Sequence, residues 1–519
     1  MSFVNNDARK SKHTFQCKGI VLEIEPSKTT KFPQNGFLTI PNRQDIKQYI
    51  AVILCGLLLW STSWFLFKDL FSPSGYMFHM VGVVFAGYFA GHTLERYTTI
   101  NPVVGMTLTG ALYRNFGPEN FLINDIANVI DLHLRRIYPV IILTRGPLCW
   151  NWTYIKSNSL KVFSLATLPW ITDCLSVAFL THLLLGFPWY WGLHLGSILA
   201  SVSPAIVVPT VNRHGARGYG TKNQIALLVG NAGGLDTAFT EGIFGVLNCI
   251  LFVKSTFTYK IVKAGLAVFL GIGVGILWGV LVDSVPDHKD PAAPALRSLL
   301  VFGGGFLLTY ASAYFGWGGT SGVAIMVCAS TAATRWARRD WPINNNPVSE
   351  IYRVLWLVFE PMLFTLTGYY FDGSSMTLTE FGLILASIFG ALFLRILTAF
   401  LLCLANELSI KESLFVAITW IPKAIVEAVL VRVASDSIGQ EAKSQDKQIA
   451  LQHSNIIVIA ILITSTIGSA LTTITGPLLL SADSSDAPQE PSQQQNPHRN
   501  GVLVRRNTVP GSLYTVDTK

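Results

Sequence analysis

The segment 199–209 reads LASVSPAIVVP and ends an apolar run that is long enough to cross a bilayer. Two prolines, Pro204 and Pro209, and two serines, Ser201 and Ser203, stand inside it. A proline in a membrane helix frees a backbone carbonyl that lipid cannot satisfy. The segment therefore predicts an interrupted membrane helix whose open backbone is enclosed by protein or by a polar cavity.

The rest of the chain has the composition of a membrane protein. Half of its 519 residues are hydrophobic and only 13% are charged, too few to cover a soluble protein of this length. The net charge of +8 does not indicate nucleic-acid binding, because the basic residues lie largely in the tails and short loops. We expect a lipid bilayer as surroundings and no nucleic-acid partner.

Apolar runs of about 20 residues, the length of a membrane-spanning helix, recur along the chain and predict an all-α protein of about fourteen spans. A polar tail at 1–48, a transmembrane domain at 49–480 and a disordered Ser-, Gln- and Pro-rich tail at 481–519 are expected. The predicted spans lie near 49–67, 77–95, 100–114, 129–147, 161–184, 187–209, 223–253, 261–284, 296–314, 318–334, 350–371, 376–405, 411–433 and 451–478.

The basic residues predict the orientation of these spans. An even number of spans puts both termini on one side, and the N-terminal tail is rich in lysine. The loops 212–222 and 335–340 are also basic and fall on the same side as that tail. Because cytosolic loops are enriched in Lys and Arg, both termini are expected in the cytosol.

A second proline-bearing run reads FEPMLFTLTG at 359–368. Pro361, followed by Gly368, predicts another interrupted helix. One broken helix in each half of the chain, each followed by a charged helix, is typical of transporters built from inverted repeats with a midplane binding site. An ordinary proline kink in each helix is the alternative.

Several ionisable residues fall inside apolar runs, where each costs roughly 2.5–3.5 kcal/mol on insertion scales. Such residues usually mark ion pathways, and structural ion pairs between helices are the alternative. Asp173 and Arg145 are further candidates, placed nearer the ends of their predicted spans. The main candidates are Asp236, Glu241, Glu360, Arg395, Lys423 and Glu427.

At these residues the sequence resembles a known family. The motifs SVSPAIVVP at 201–209, GYG at 218–220, RILT at 395–398 and WIPKA at 420–424 are similar to those of animal sodium/proton exchangers of the NHA group. This group, which includes the 9B type of sodium/hydrogen exchanger, belongs to the cation/proton antiporter superfamily. The resemblance extends from about residue 95 to residue 478.

The resemblance implies an inverted-repeat antiporter fold with crossed discontinuous helices, in which an elevator core moves against a dimerisation panel. It also implies a homodimer. In the family two adjacent aspartates follow the first broken helix, and the second binds the cation or a proton. Here Asp236 stands at the first position and Thr237 at the second. A threonine hydroxyl can coordinate sodium, but it does not titrate near neutral pH.

Two explanations of this departure stay open. Asp236 titrates alone, or Glu241, one helical turn after Thr237, supplies the missing carboxylate from a shifted position. Glu241 facing a loop or pairing with a lysine is the structural alternative. Ser203 and Thr237 would offer further oxygen ligands.

The basic residues of the second half are the expected charge partners. One of Arg395 and Lys423 is predicted to pair with Asp236, and the other to contact the ends of the broken helix or Glu427.

The favoured function is proton-coupled exchange of a monovalent cation, sodium or potassium, at the plasma membrane. Proton-coupled chloride transport is a second hypothesis, because two fixed cations face one certain carboxylate, and half-helix N-termini would add positive potential. A non-transporting regulatory relative is a third. No enzyme, cofactor or metal site is predicted, since no phosphate loop, metal-ligand cluster or nucleophile triad stands at a credible spacing.

Overall fold

The computed structural model describes residues 43–118, 120–253, 255–339, 341–438 and 443–482. Most of the two predicted tails, at 1–42 and 483–519, lies outside the described residues. The regular structure within the described ranges is helical, apart from one isolated bridge between Tyr219 and Ala482. The helices are α1 (Arg43–Phe67), α2 (Tyr76–Tyr97), α3 (Pro102–Phe116), α4 (Asp125–Arg145), α5 (Trp152–Ser157), α6 (Ser159–Leu185), α7 (Trp189–Leu199), α8 (Pro204–Gly215), α9 (Ile225–Phe252), α10 (Phe257–Ser284), α11 (Ala293–Tyr314), α12 (Thr320–Ala337), α13 (Pro347–Tyr369), α14 (Leu378–Ala405), α15 (Ile410–Thr419), α16 (Ile425–Leu430), α17 (Val433–Ser437) and α18 (Ser444–Leu479).

Within the described residues, ten segments are long and apolar enough to cross a membrane, and they contain α1, α2, α6, α7 with α8, α9, α10, α11, α13, α14 and α18. The chain is thus a multi-pass membrane protein. The other four predicted spans correspond to α3, α4, α12 and α15 with α16, which are shorter, more polar or broken. The count of fourteen crossings stays a prediction.

The first broken helix consists of α7 and α8, separated by four residues at 200–203. Pro204 is the first residue of α8, where its missing N–H removes no intrahelical hydrogen bond. Pro209 lies inside α8, which continues to Gly215, so only the first of the two prolines marks the interruption.

The interruption predicted at Pro361 is wrong. α13 runs continuously from Pro347 to Tyr369 with Pro361 inside it. Close packing supports this helix, because a Cβ on Gly368 would lie 1.8 Å from the carbonyl oxygen of Thr107 in α3. A proline removes one helical hydrogen bond, and tight neighbours allow a membrane helix to tolerate that loss.

The second break lies instead between α15 and α16, at 420–424. Here the free backbone groups find partners. The N–H of Lys423 donates to Thr464 Oγ1 (3.1 Å), and Ser465 Oγ donates to the Lys423 carbonyl (2.8 Å). Two hydroxyls of α18 therefore replace hydrogen bonds that a continuous helix would have made.

The long helices pack as two groups. The core group comprises α6–α9, α14–α16 and α18, and the panel group comprises α2–α4 and α10–α13. The core group contains the sequence helix, broken helix, helix twice, as α6, α7–α8, α9 and again as α14, α15–α16, α18. The two groups meet where α9 packs on α10 and α12, where α18 packs on α3, and where α16 packs on α13 and α4.

A stripe of glycines holds α10 close to α12 in the panel group. Cβ atoms added at Gly271, Gly275 and Gly279 would lie 2.7–2.8 Å from carbonyl oxygens of α12. Small residues at four-residue spacing allow membrane helices to approach in this way.

We expect Gly275→Ala to destabilise the protein by about 1–3 kcal/mol, because the added methyl would overpack the contact with Ala324. Gly273→Ala is the matched control, since no atom lies within 4 Å of a Cβ added there. Thermal melts of the purified variants measure both. Equal melting temperatures for the two variants would contradict the prediction.

Candidate ion site at the crossing of the broken helices

The two breaks meet inside the core group. The N–H of Ser203, in the first break, donates to the carbonyl of Pro422 in the second (2.9 Å). Carbonyls at the C-terminal end of α7 accept from basic side chains of the second half. The Leu199 carbonyl accepts from Lys423, and the carbonyl of the next residue, Ala200, accepts from Arg395. Cations suit a helix C-terminus because its unpaired carbonyls carry partial negative charge.

Asp173, near the centre of α6, joins these two basic residues. Its Oδ2 accepts from Arg395 Nη1 (2.7 Å) and from Lys423 Nζ. All three side chains are buried. Burying charges in this way is tolerable only when each has partners. Asp173 therefore fixes both cations at the crossing.

Asp236, on α9, lies on the other side of Arg395. Its Oδ1 accepts from the backbone N–H of Val202 (2.9 Å) and lies 3.4 Å from Ser201 Oγ. Its Oδ2 is 3.4 Å from Arg395 Nη2, a longer contact than the one Arg395 makes with Asp173. Asp236 is fully buried. It is thus the less tightly held of the two carboxylates.

The two hydroxyls predicted as ligands are buried close to this point. Thr237 Oγ1 donates to the Gly233 carbonyl of its own helix (3.2 Å). Ser203 Oγ is without a hydrogen-bond partner among the described residues. A Cβ on Gly233 would lie 3.5 Å from side-chain atoms of Val202 and Pro204, so this face of α9 packs on the first break. Both hydroxyl oxygens keep lone pairs that could accept a cation.

The remaining two acidic candidates lie elsewhere. Glu241 points toward α12, where a Cβ on Gly322 would lie 2.3 Å from Glu241 Oε2. It makes no hydrogen bond or ion pair with the charge cluster in the described part of the chain. Glu427, on α16, is fully buried, and neither of its carboxylate oxygens has a hydrogen-bond partner among the described residues.

Sequence reasoning underrated Asp173. The expectation that it lies nearer a helix end is wrong, because it is the fifteenth of the 27 residues of α6. The signal was present, since the predicted span 161–184 has its centre at the same point. Arg145 ends α4 and Glu360 lies on α13, both in the panel group and outside the charge cluster.

Comparison with known proteins places this chain in a family. A family model described as the transmembrane part of sodium/hydrogen exchangers matches residues 48–478. The chain belongs to the sodium/hydrogen exchanger family. Human sodium/hydrogen exchanger 9B2 is 30% identical over 451 residues, covering 85% of this chain and 82% of the human protein. Human sodium/hydrogen exchanger 9B1 is 27% identical, covering 90% of this chain and 96% of that protein.

These relatives confirm the resemblance that the motifs at 201–209, 395–398 and 420–424 carry. The sodium proton antiporter MjNhaP1 from Methanocaldococcus jannaschii superposes on this exchanger-family chain with a TM-score of 0.62 at 20% identity, covering 78% of this chain and 98% of that one. The likeness confirms the all-helical antiporter fold. The family is one of transporters that exchange cations for protons.

Proposed function

We propose that this chain exchanges sodium for protons at a site centred on Asp236. The observation that carries the proposal is that the two buried aspartates, Asp173 and Asp236, differ in the contacts that hold them. Asp173 contacts both basic side chains, Arg395 and Lys423. Asp236 has one longer contact with Arg395, one backbone N–H and the Ser201 hydroxyl at 3.4 Å. Asp173 keeps the side chains of Arg395 and Lys423 in place, and Asp236 can exchange its contact with Arg395 for a bound ion.

The exchange follows from competition at Asp236. A proton and a sodium ion each neutralise one carboxylate, so binding of one excludes the other. Ser203 Oγ, with no hydrogen-bond partner among the described residues, and Thr237 Oγ1 add neutral oxygen ligands. Glu241 lies one turn farther along α9, where the core group meets the panel group. It supplies a second carboxylate on the path of an approaching cation.

The chloride hypothesis is the weaker one. It depended on two fixed cations facing one certain carboxylate. Because Asp173 contacts both cations, the cluster holds two carboxylates against Arg395 and Lys423. The excess positive charge that would attract an anion is therefore absent from this cluster.

Substitution at Thr237 separates these hypotheses. Thr237→Asp adds a negative charge at the site, and repulsion between unit charges 4 Å apart is about 4 kcal/mol at an effective dielectric of 20. We expect the variant to keep its preference for cations and to change its pH dependence. Glu241→Gln should stop cation exchange. Chloride-dependent acidification that survives Glu241→Gln but not Thr237→Asp would contradict the cation proposal.

The decisive measurement uses proteoliposomes with sodium, potassium or chloride gradients while internal pH is read. Sodium-driven alkalinisation supports the proposal, and an equal response to potassium would widen it to monovalent cations. A response to chloride alone would overturn it. A protein that responds to none of the three while remaining folded would be a non-transporting regulatory relative.

We further propose that the core group moves as an elevator against the panel group in a plasma-membrane homodimer with cytosolic termini. The support is that each group packs mainly within itself and that the basic loops 212–222 and 335–340 fall on one predicted side. Native mass spectrometry of the full chain tests the dimer, and protease access to the two tails in sealed cells tests the orientation. A monomer, or tails cleaved from outside, would contradict these points.

A further inference from the structure

Glu427 is a buried acid that the proposed exchange leaves unused. It is the third residue of α16 and follows the second break directly. Its side chain is fully buried, and neither carboxylate oxygen has a hydrogen-bond partner among the described residues. Its own backbone N–H lies near the carboxylate without the geometry of a hydrogen bond. The contacts of the described chain therefore give no structural reason for a glutamate at this position.

The surroundings of Glu427 connect it to the charge cluster. Its strongest electrostatic interactions are with Lys423, then Arg395, then Asp236. α16 also packs against α7, whose C-terminal end carries the carbonyls that accept from Lys423 and Arg395. Glu427 therefore lies in the electric field of the residues that form the ion site, although it makes no ion pair with them within the described residues.

The helices around α16 bring other titratable groups near Glu427. α16 packs against α4, α13 and α18 as well as α7. None of the titratable side chains buried on these four helices interacts with Glu427 as strongly as the cluster does. These side chains are Asp131, Tyr138, His194, Tyr352, Tyr369 and His453. The charge state of Glu427 therefore depends mainly on the cluster at the crossing.

These surroundings favour a neutral Glu427 in the conformation described here. An ionised carboxylate that is buried without donors costs much free energy, and binding a proton removes that cost. Arg395 and Lys423 do not offset the cost, because both contact Asp173 instead. With Asp173 and Asp236 ionised, the formal charges of the cluster cancel, so it offers Glu427 no net positive charge.

We propose that Glu427 is a second proton-binding carboxylate of the ion site and releases its proton when sodium binds at Asp236. This role rests on the proposed exchange function. A bound sodium ion adds one positive charge to a cluster whose formal charges cancel. The O–H bond of Glu427 then breaks, its electron pair stays on the carboxylate, and the proton passes to water that enters with the ion. The new carboxylate compensates the added charge.

The position of Glu427 at the boundary between the two helix groups suits this release. Thr367 Oγ1, on α13, donates to the carbonyl of Ala428 (3.3 Å), so the first turn of α16 contacts the panel group. The proposed movement of the core group against the panel group would therefore change the surroundings of Glu427. A proton bound in one position can then be released in another.

The test counts the protons that the purified full chain releases for each sodium ion bound. Calorimetric titration with sodium gluconate in buffers of different ionisation heat gives this number. We expect Glu427→Gln to release about one proton fewer per sodium ion than the wild type and to bind sodium roughly tenfold more weakly. Higher pH favours proton release from Glu427, so the sodium affinity of the variant should rise less steeply with pH.

The matched control is Glu412→Gln. Glu412 is also a buried glutamate of the core group, but its Oε2 accepts from Ser409 Oγ (2.8 Å) and Asn223 Nδ2 (2.9 Å). A glutamine oxygen can keep both contacts, so the proton count should equal that of the wild type. Glutamine also has the shape of a neutral glutamic acid, so Glu427→Gln should melt at the wild-type temperature.

An equal proton count in the wild type and in Glu427→Gln would overturn this inference. Strong destabilisation or misfolding of Glu427→Gln would overturn it too, because it would show that Glu427 is an ionised structural partner. Asp236→Asn should bind no sodium and release no proton. Wild-type protein that binds no sodium would instead refute the proposed function, on which the role of Glu427 rests.

Discussion

Replacing Asp236 by asparagine should reduce sodium-dependent proton movement to background while the protein stays folded. Asparagine keeps an oxygen acceptor for the Val202 N–H, so the first break retains its hydrogen bond. Arg395 keeps Asp173 as its partner. What disappears is the carboxylate on which the proposed competition between a proton and a sodium ion takes place. Internal pH in proteoliposomes and a thermal melt measure the two effects.

Asp283→Asn is the control for this experiment. Asp283 is also a buried aspartate paired with an arginine, Arg335, at 2.6 Å, but it lies at the end of α10. This variant should retain exchange per folded molecule. Full transport by the Asp236 variant, or equal loss in both variants, would refute the central role of Asp236.

Replacing Arg395 by alanine should destabilise the protein by about 3–5 kcal/mol, because it leaves buried charges without their partner. Arg395 contacts Asp173, Asp236 and the Ala200 carbonyl, whereas Lys423 contacts Asp173 and the Leu199 carbonyl. Loss of Lys423 leaves Asp173 with Arg395 and Asp236 with all its contacts. Lys423→Ala should therefore melt above Arg395→Ala.

Two further variants sharpen this comparison. Arg395→Lys keeps the charge but loses the planar fork that reaches both carboxylates, and it should fall between wild type and Arg395→Ala. Arg335→Ala should cost much less, because Arg335 is 38% exposed and buried Asp283 keeps Arg339 as a partner at 3.4 Å. Wild-type melting of both Arg395→Ala and Lys423→Ala would show that the cluster does not stabilise the fold.

The sequence predicted one broken helix at the right place and the other at the wrong one. Prolines 204, 361 and 422 all stand in apolar runs, so the local signal is the same at each. What separates them is where the free backbone groups go. The break near Pro422 is satisfied by Thr464 and Ser465 of α18, about 40 residues later, while Pro361 stays within a tightly packed helix. Local sequence does not contain that information.

The same limit applies to the charged residues. Helical periodicity puts Thr237 and Glu241 on one face of α9, but it does not show that Glu241 packs against Gly322 of α12. Position within an apolar run correctly singled out Asp236, Arg395 and Lys423 as buried charges. Asp173, the common partner of Arg395 and Lys423, lies more than 200 residues from Arg395 along the chain, and only the fold brings them together.

The charge cluster at the crossing also bears on membrane voltage. Counted by formal charge, Arg395 and Lys423 contribute two positive charges, and Asp173 and Asp236 contribute two negative ones. Moving one elementary charge through 100 mV requires about 2.3 kcal/mol, but a neutral cluster crosses without electrical work. One sodium ion or one proton on Asp236 adds the same single charge. If the proposed exchange is one sodium ion for one proton at this cluster, it is driven by the two concentration gradients and is indifferent to the membrane potential.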